Sequence, residues 1–241
     1  MCSDSNRERV FHFKKFDVTH LSAAMKVGTD GVLLGAWTRV PSAGCIWDVG
    51  TGSGLIALML AQRSDSHIVA IDIVGEATNE ARRNVAQSAW SDRITVVAGD
   101  VFECADRLPR PDLIVCNPPF FNETVCAPDE QRRMARHEGS LNLCSVIELA
   151  AGALTDEGRL TMIGPTKRAG DVDLACALAG LHIRHRLEVR TTVRKAPIRT
   201  LWEISRQAGD CAREEESLRD ASGGWSEWYV GLTQDYYTHL K

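Results

Sequence analysis

Short, unbroken apolar runs that alternate with helical stretches constrain this chain more than any other feature. The runs are CIWDV at 45–49, HIVAID at 67–72, ITVVAG at 94–99, DLIVCN at 112–117 and RLTMIG at 159–164. Each is continuous and aliphatic or β-branched, the pattern of a strand buried on both faces. Between them GLIALMLAQRS, GEATNEARRNVAQSA and NLCSVIELAAGALTDEG carry apolar residues at three- and four-residue spacing, and the last meets Gly158 as a stop. Strand–helix alternation of this kind predicts an α/β fold, a parallel sheet covered by helices on both faces. Such sheets bind ligands at the carboxyl ends of their strands, so functional residues are expected just after the runs.

The flanks differ. HIRHRLEVRT at 182–191 and RTLWEISRQ at 199–207 follow one another with no room for a crossover helix, which predicts an antiparallel hairpin. Residues 208–224, with Glu214, Glu215 and Glu216, read as a solvated loop, and SEWYVGLTQDYYTHLK as a terminal helix docking by Trp225, Trp228, Tyr229 and Leu232. FHFKKFDVTH predicts an N-terminal strand or hairpin before the helix DGVLLGAWTRV. At 241 residues and 44% hydrophobic content the chain buries a full core. One domain is expected over 1–241, with an extension at 1–40, a core at 41–207 and the loop and helix at 208–241.

A net charge of −4 excludes any global attraction to a polyanion, so a nucleic acid would have to be met by local patches. No run approaches the ~18 apolar residues of a membrane helix and the start lacks a secretory layout, so a cytoplasmic location is expected. The eight cysteines form no CxxC pair, which favours free, core-filling thiols. His182 and His185 point to opposite faces of a strand, and no metal is assigned.

After the first run the chain reads DVGTGSGL at 48–55. Gly50, Gly52 and Gly54 let the backbone turn sharply against a ligand, and the next helix offers free N–H groups. A dinucleotide site would want G-x-G-x-x-G, with a pyrophosphate that the acid Asp48 would repel; Asp48 suits a cationic ligand. Asp72 ends the second run, where a carboxylate can take both ribose hydroxyls, and Asp100 follows the third, placed to accept from an adenine amine. Asp and Gly also serve as caps and turn residues at strand ends, an alternative that holds for each acid taken singly.

DLIVCNPPFF closes the fourth run. Pro118 and Pro119 lack N–H donors and hold the backbone rigid, leaving carbonyls free. The Asn117 side-chain oxygen and the Pro118 carbonyl can then accept the two hydrogens of one exocyclic NH₂, while Phe120 offers a face for a planar group. Catalysis would lie in positioning and fixed dipoles, with no strong base.

The three acids interleaved with the glycine loop resemble class I S-adenosylmethionine-dependent methyltransferases. The resemblance implies a Rossmann-like, seven-stranded sheet with an antiparallel last strand, Asp48 toward the methionine end, Asp72 on the ribose with Ile73 beside it, and Asp100 with Val101 reading the adenine. N-P-P-F is the signature of members that act on a conjugated nitrogen: adenine N6, guanine N2, cytosine N4 or a glutamine amide. The stretch FKKFDVTHLSAAMKVGTDGVLLGAW at 13–37, together with ALMLAQR, NPPFF and SEWYVGLTQDYY, resembles the bacterial tRNA1(Val) adenosine-37 N6-methyltransferases over nearly the whole chain. It implies tRNA as partner and Lys26, Thr29 and Asp30 near the cofactor. Phe120-Phe121 stands where Tyr-Tyr is frequent, and Val49-Gly50-Thr51 where an Ile-Gly-Ala type of loop is.

Cationic clusters supply phosphate contacts in this reading: Lys14 and Lys15; Arg132, Arg133 and Arg136; and Arg184, Arg186, Arg194, Lys195 and Arg199. An ordinary solvated surface is the alternative for each. Rival functions on the same core are a methyltransferase for ribosomal RNA guanine N2 or a protein glutamine, and a non-catalytic RNA-binding protein. A monomer is expected.

Overall fold

The computed structural model describes residues 9–20, 27–119 and 141–239. It opens on an antiparallel hairpin, β1 (Arg9–His12) and β2 (Asp17–His20). The five apolar runs then form β3 (Cys45–Val49), β4 (His67–Asp72), β5 (Ile94–Ala98), β6 (Leu113–Cys116) and β7 (Arg159–Pro165), paired in parallel. Side chains alternate between two cores, which is why the runs show no polar alternation. Ile46, Ile68 and Ala70 pack on one side of the sheet, and Trp47, Val69 and Ile71 on the other.

The late hairpin forms as expected from β8 (His182–Thr192) and β9 (Arg199–Ser205), and β9 runs antiparallel to both β8 and β7. The strand count differs from the seven expected. Residues 212–219, expected as loop, form β10 (Ala212–Arg219), parallel to β8, so the order is β10-β8-β9-β7-β6-β3-β4-β5. Its acids face the cations of β8: Glu215 pairs with Arg190, and Glu214 lies 3.2 Å from His185 Nε2. A charged strand at the sheet edge also discourages pairing with another chain.

On one face lie α1 (Thr29–Trp37), α2 (Leu55–Ala61), α3 (Gly75–Ala86) and α7 (Glu227–Thr233); on the other lie α4 (Val101–Cys104), α5 (Leu143–Ala153) and α6 (Ala169–Ala179). Sequence reading did not single out α6, whose buried residues Val172, Ala175 and Cys176 are few and small. No helix among the described residues is long and apolar enough to cross a membrane. Helix α7 docks by the fully buried Tyr229, stacked on Trp225 at 4.6 Å, and the following Tyr236 donates to Met59 O at 3.2 Å.

The end of α1 is held by Arg63, which lies just past α2. Its guanidinium donates to Gly35 O at 2.6 Å and Thr38 O at 2.8 Å, carbonyls left unpaired at the helix end. Arg63→Ala is expected to cost about 2 kcal/mol of stability, because both bonds are charge-assisted and part-buried. An unchanged urea midpoint would contradict this.

Burial raises the Cys45 thiol to about 11 and the Cys176 thiol to about 12, so both stay protonated and inert near neutral pH. Cys144 departs from the expectation of free thiols: it is disulfide-bonded.

Candidate active site at the carboxyl edge of the sheet

Chain direction sets the site. β3 lies between β4, its successor in the chain, and β6, reached only after β5, so the strand order reverses beside β3 and opens a crevice at its carboxyl end. The glycine loop fills that end. Gly50, Gly52 and Gly54 all take positive φ, at 72°, 56° and 83°, conformations costly for any side chain with a Cβ. Gly50 and Thr51 donate to Ile71 O at 2.8 and 3.0 Å, pinning the loop to the end of β4.

Asp48 anchors the same loop from below and is fully buried. Its Oδ2 accepts from Thr51 Oγ1 at 2.6 Å and from Ala57 N–H at 3.0 Å, which explains how an acid can sit at the end of a core strand. The other oxygen, Oδ1, is buried with no hydrogen-bond partner among the described residues. Burial, with a smaller contribution from the nearby Asp72 charge, raises this carboxyl from its ordinary 3.8 to about 7. A buried acceptor with one unused oxygen fits a cationic donor.

Asp72 closes β4, where its Oδ2 accepts from Gly52 N–H at 2.8 Å and its Oδ1 from Val74 N–H at 2.9 Å. Each carboxylate oxygen keeps acceptor capacity beyond these bonds. Ile73 and Val74 follow it, 63% and 53% exposed, and Phe102 is 37% exposed beyond β5. Such exposure at a strand end offers apolar surface to a planar ring. Asp100 is the N-cap of α4, its Oδ1 accepting from Phe102 N–H at 2.9 Å, so the capping alternative describes one of its oxygens. Val101, first in α4, is buried.

On the other side of β3, Asn117 and Pro118 follow β6 directly. Asn117 is half-buried, Pro118 buried and Pro119 exposed. Among the described residues the Asn117 amide has no hydrogen-bond partner. Thr29 and Asp30 begin α1 at the same edge, where Asp30 accepts from Arg199 Nε at 2.8 Å, opposite Pro165 at the end of β7. Phe120, Lys26, Arg132, Arg133 and Arg136 lie outside the described residues.

The remaining cations divide between two faces. Arg194 and Lys195 sit in the turn between β8 and β9, exposed on the carboxyl edge. Arg199 is engaged by Asp30 and Arg186 by Asp173. Arg184 lies near the start of β8, at the opposite edge, where it lines a cleft of about 230 Å³ with Arg39, Arg159 and Glu203. Lys14 donates to Gln234 O at 2.6 Å beside the far end of α2, and the exposed Lys15 follows it there. Lys167, which sequence reading passed over, is exposed immediately after β7 on the carboxyl edge; a cation directly following a strand was the available signal.

The profile of the methyltransferase small domain matches residues 25–178. The chain is 44% identical over 235 residues to the tRNA1(Val) (adenine(37)-N6)-methyltransferase of Bacteroides thetaiotaomicron, an alignment covering 96% of this chain and 98% of the relative. It is 40% identical to the protein of the same name in Salmonella arizonae, over 97% of each chain. Among solved structures, that of a predicted O-methyltransferase from Agrobacterium tumefaciens superposes with a TM-score of 0.67 at 17% identity, over 88% of this chain and 99% of the other.

Proposed function

Because the chain belongs to the tRNA1(Val) (adenine(37)-N6)-methyltransferases, within the methyltransferase small domain family, we infer that it methylates N6 of adenosine 37, beside the anticodon of that tRNA. The observation that carries the chemistry is the Asn117 amide, half-buried at the strand end next to the glycine loop and without a hydrogen-bond partner among the described residues.

S-Adenosylmethionine, when bound, supplies an electrophilic methyl group on a sulfonium. The residues present fit it: the unpartnered Oδ1 of Asp48 suits the α-amino group, Asp72 the ribose hydroxyls, and Ile73 the adenine face, with the second oxygen of Asp100 in reach of its amine. Gly50, Gly52 and Gly54 give the loop its turn by their positive φ, and a Cβ would meet Leu141 Cδ2 at 2.8 Å at Gly50 and Ala81 Cβ at 3.4 Å at Gly54.

On the substrate side, Asn117 Oδ1 and the Pro118 carbonyl accept the two N6 hydrogens. The nitrogen lone pair of an adenine is delocalised into the ring; holding both hydrogens in this geometry draws the nitrogen toward a tetrahedral arrangement and aims the lone pair at the methyl group. As the nitrogen gains positive charge, both acceptors strengthen their hold, so the dipoles act most in the transition state. The methylated nitrogen then loses one proton to solvent water, and because that nitrogen carries a positive charge no dedicated side-chain base is required.

Asp48 makes cofactor binding pH-dependent. Its ionised form meets the cationic amine, and the free protein carries it protonated below about 7. Affinity for S-adenosylmethionine is therefore expected to fall as pH drops below 7, approaching roughly tenfold per unit, and Asp48→Asn to flatten that dependence. Calorimetry between pH 5.5 and 8 on both proteins checks this, with identical profiles counting against the Asp48 role. The stability contribution has the opposite sense: a carboxyl raised in the folded state favours folding most at low pH, and that contribution is lost as pH rises through about 7.

The target class is tested by supplying labelled S-adenosylmethionine with unmodified tRNA, ribosomal RNA and a cell protein fraction. Label in tRNA is expected; label confined to ribosomal RNA or protein would move the substrate to guanine N2 or glutamine.

A further inference from the structure

The hairpin between β8 and β9 ends in a turn in which Lys195 N–H donates to Thr192 O at 3.0 Å. Val193 and Ile198 are 44% and 46% exposed there. Exposed apolar residues are ordinary one at a time. Ile198 differs because its backbone is held from both sides: its N–H donates to Val189 O at 3.0 Å and its carbonyl accepts from Thr166 N–H at 3.2 Å. Pro197 before it fixes φ. The branched side chain is thus presented to solvent on a backbone that cannot retreat.

Charge at the tip points to the occupant. At the roots of the hairpin, Arg190 and Arg199 are matched by Glu215 and Asp30. Arg194 and Lys195, between the two apolar residues, are exposed with no ion-pair partner among the described residues. Two exposed cations beside two exposed apolar side chains, one of them on a backbone held from both sides, suit a polyanion that also has stacked planar groups. β9 stands two strands from β6, about 10 Å along the edge at the usual strand spacing, and begins level with Pro165, beyond the end of β6, so the tip stands above the edge that carries Asn117.

We propose that this hairpin tip is a wedge for the anticodon loop: Arg194 and Lys195 hold loop phosphates while Val193 and Ile198 press between the target adenosine and its stacked neighbour. The proposal rests on the reading of tRNA as substrate. A stacked adenine cannot present N6 to two acceptors at a strand end; inserting an apolar side chain offsets the lost stacking and holds the base out.

The test uses the full chain and an anticodon stem–loop with 2-aminopurine in place of adenosine 37. Wild-type protein is expected to raise the fluorescence on binding, as the base leaves the stack. The Val193→Ser/Ile198→Ser variant, substituted only at exposed positions, is expected to bind with an unchanged salt dependence, to lose most of that rise, and to lose roughly tenfold in kcat/KM on the adenosine stem–loop. Arg194→Ala/Lys195→Ala is expected to do the reverse, flattening the salt dependence of binding by up to about two units of slope while keeping the rise at saturation. A serine variant that unstacks the base and turns over like wild type would overturn the wedge while leaving the tRNA reading intact. Failure of the wild type to methylate any tRNA would overturn both.

Discussion

Asn117→Ala is expected to reduce methyl transfer by about 10²- to 10³-fold while leaving S-adenosylmethionine affinity within a few-fold of wild type. The separation follows from the strand order. Asn117 follows β6, on the substrate side of β3, whereas Asp72 and Asp100 follow β4 and β5 on the other side. Removing the amide deletes one of two acceptors and leaves the Pro118 carbonyl, because backbone cannot be removed by substitution. The amine then keeps one anchor and loses the orientation of its lone pair, a loss that appears in kcat more than in KM. Asn117→Asp keeps an acceptor and is expected to fall between the two. Near-normal turnover of Asn117→Ala in single-turnover assays would remove the amine-acceptor role.

Asp72→Ala is expected to weaken S-adenosylmethionine binding by about 10²-fold, from two losses that act together. The ribose loses a carboxylate acceptor, and Gly52 loses the partner of its N–H at 2.8 Å, which loosens the loop that lies against the ligand. Val74 N–H, bonded at 2.9 Å, loses its acceptor as well. Asp72→Asn keeps the shape and one acceptor oxygen and is expected to lose less. Calorimetry at fixed pH checks both, and an unchanged affinity for the alanine variant would contradict the assignment.

The parallel core was legible because burial on both faces leaves short unbroken runs such as DLIVCN, closed by polar or turn residues at the ligand edge and recurring in alternation with helices; the buried helix α2, itself the unbroken run LIALMLA, shows that one such run alone does not identify a strand. The late hairpin was legible from the short connection through Pro197, which admits no crossover. β10 was not, because an edge strand needs no apolar face; Glu214 and Glu215 are explained by His185 and Arg190 only once the register Glu215↔Glu188 aligns the two strands. The acids at the strand ends were legible as a set but not in their individual bonds. Asp100 caps α4, Asp72 ties down Gly52, and Asp48 joins the loop to α2, each before any ligand is considered. Charge clusters were the least legible. Sequence shows that Arg184, Arg186, Arg194 and Arg199 are near one another in the chain, and the expected hairpin already parts Arg184 from Arg194, but it does not show that Asp30 and Asp173 engage Arg199 and Arg186.

The measurement closest to the central claim is methyl transfer to unmodified tRNA1(Val), followed by nuclease digestion and mass spectrometry of the fragment that contains position 37. The account predicts one N6-methyladenosine at that position and none in the same tRNA carrying guanosine there. Methylation at another position, or undiminished transfer to the guanosine-37 tRNA, would contradict it.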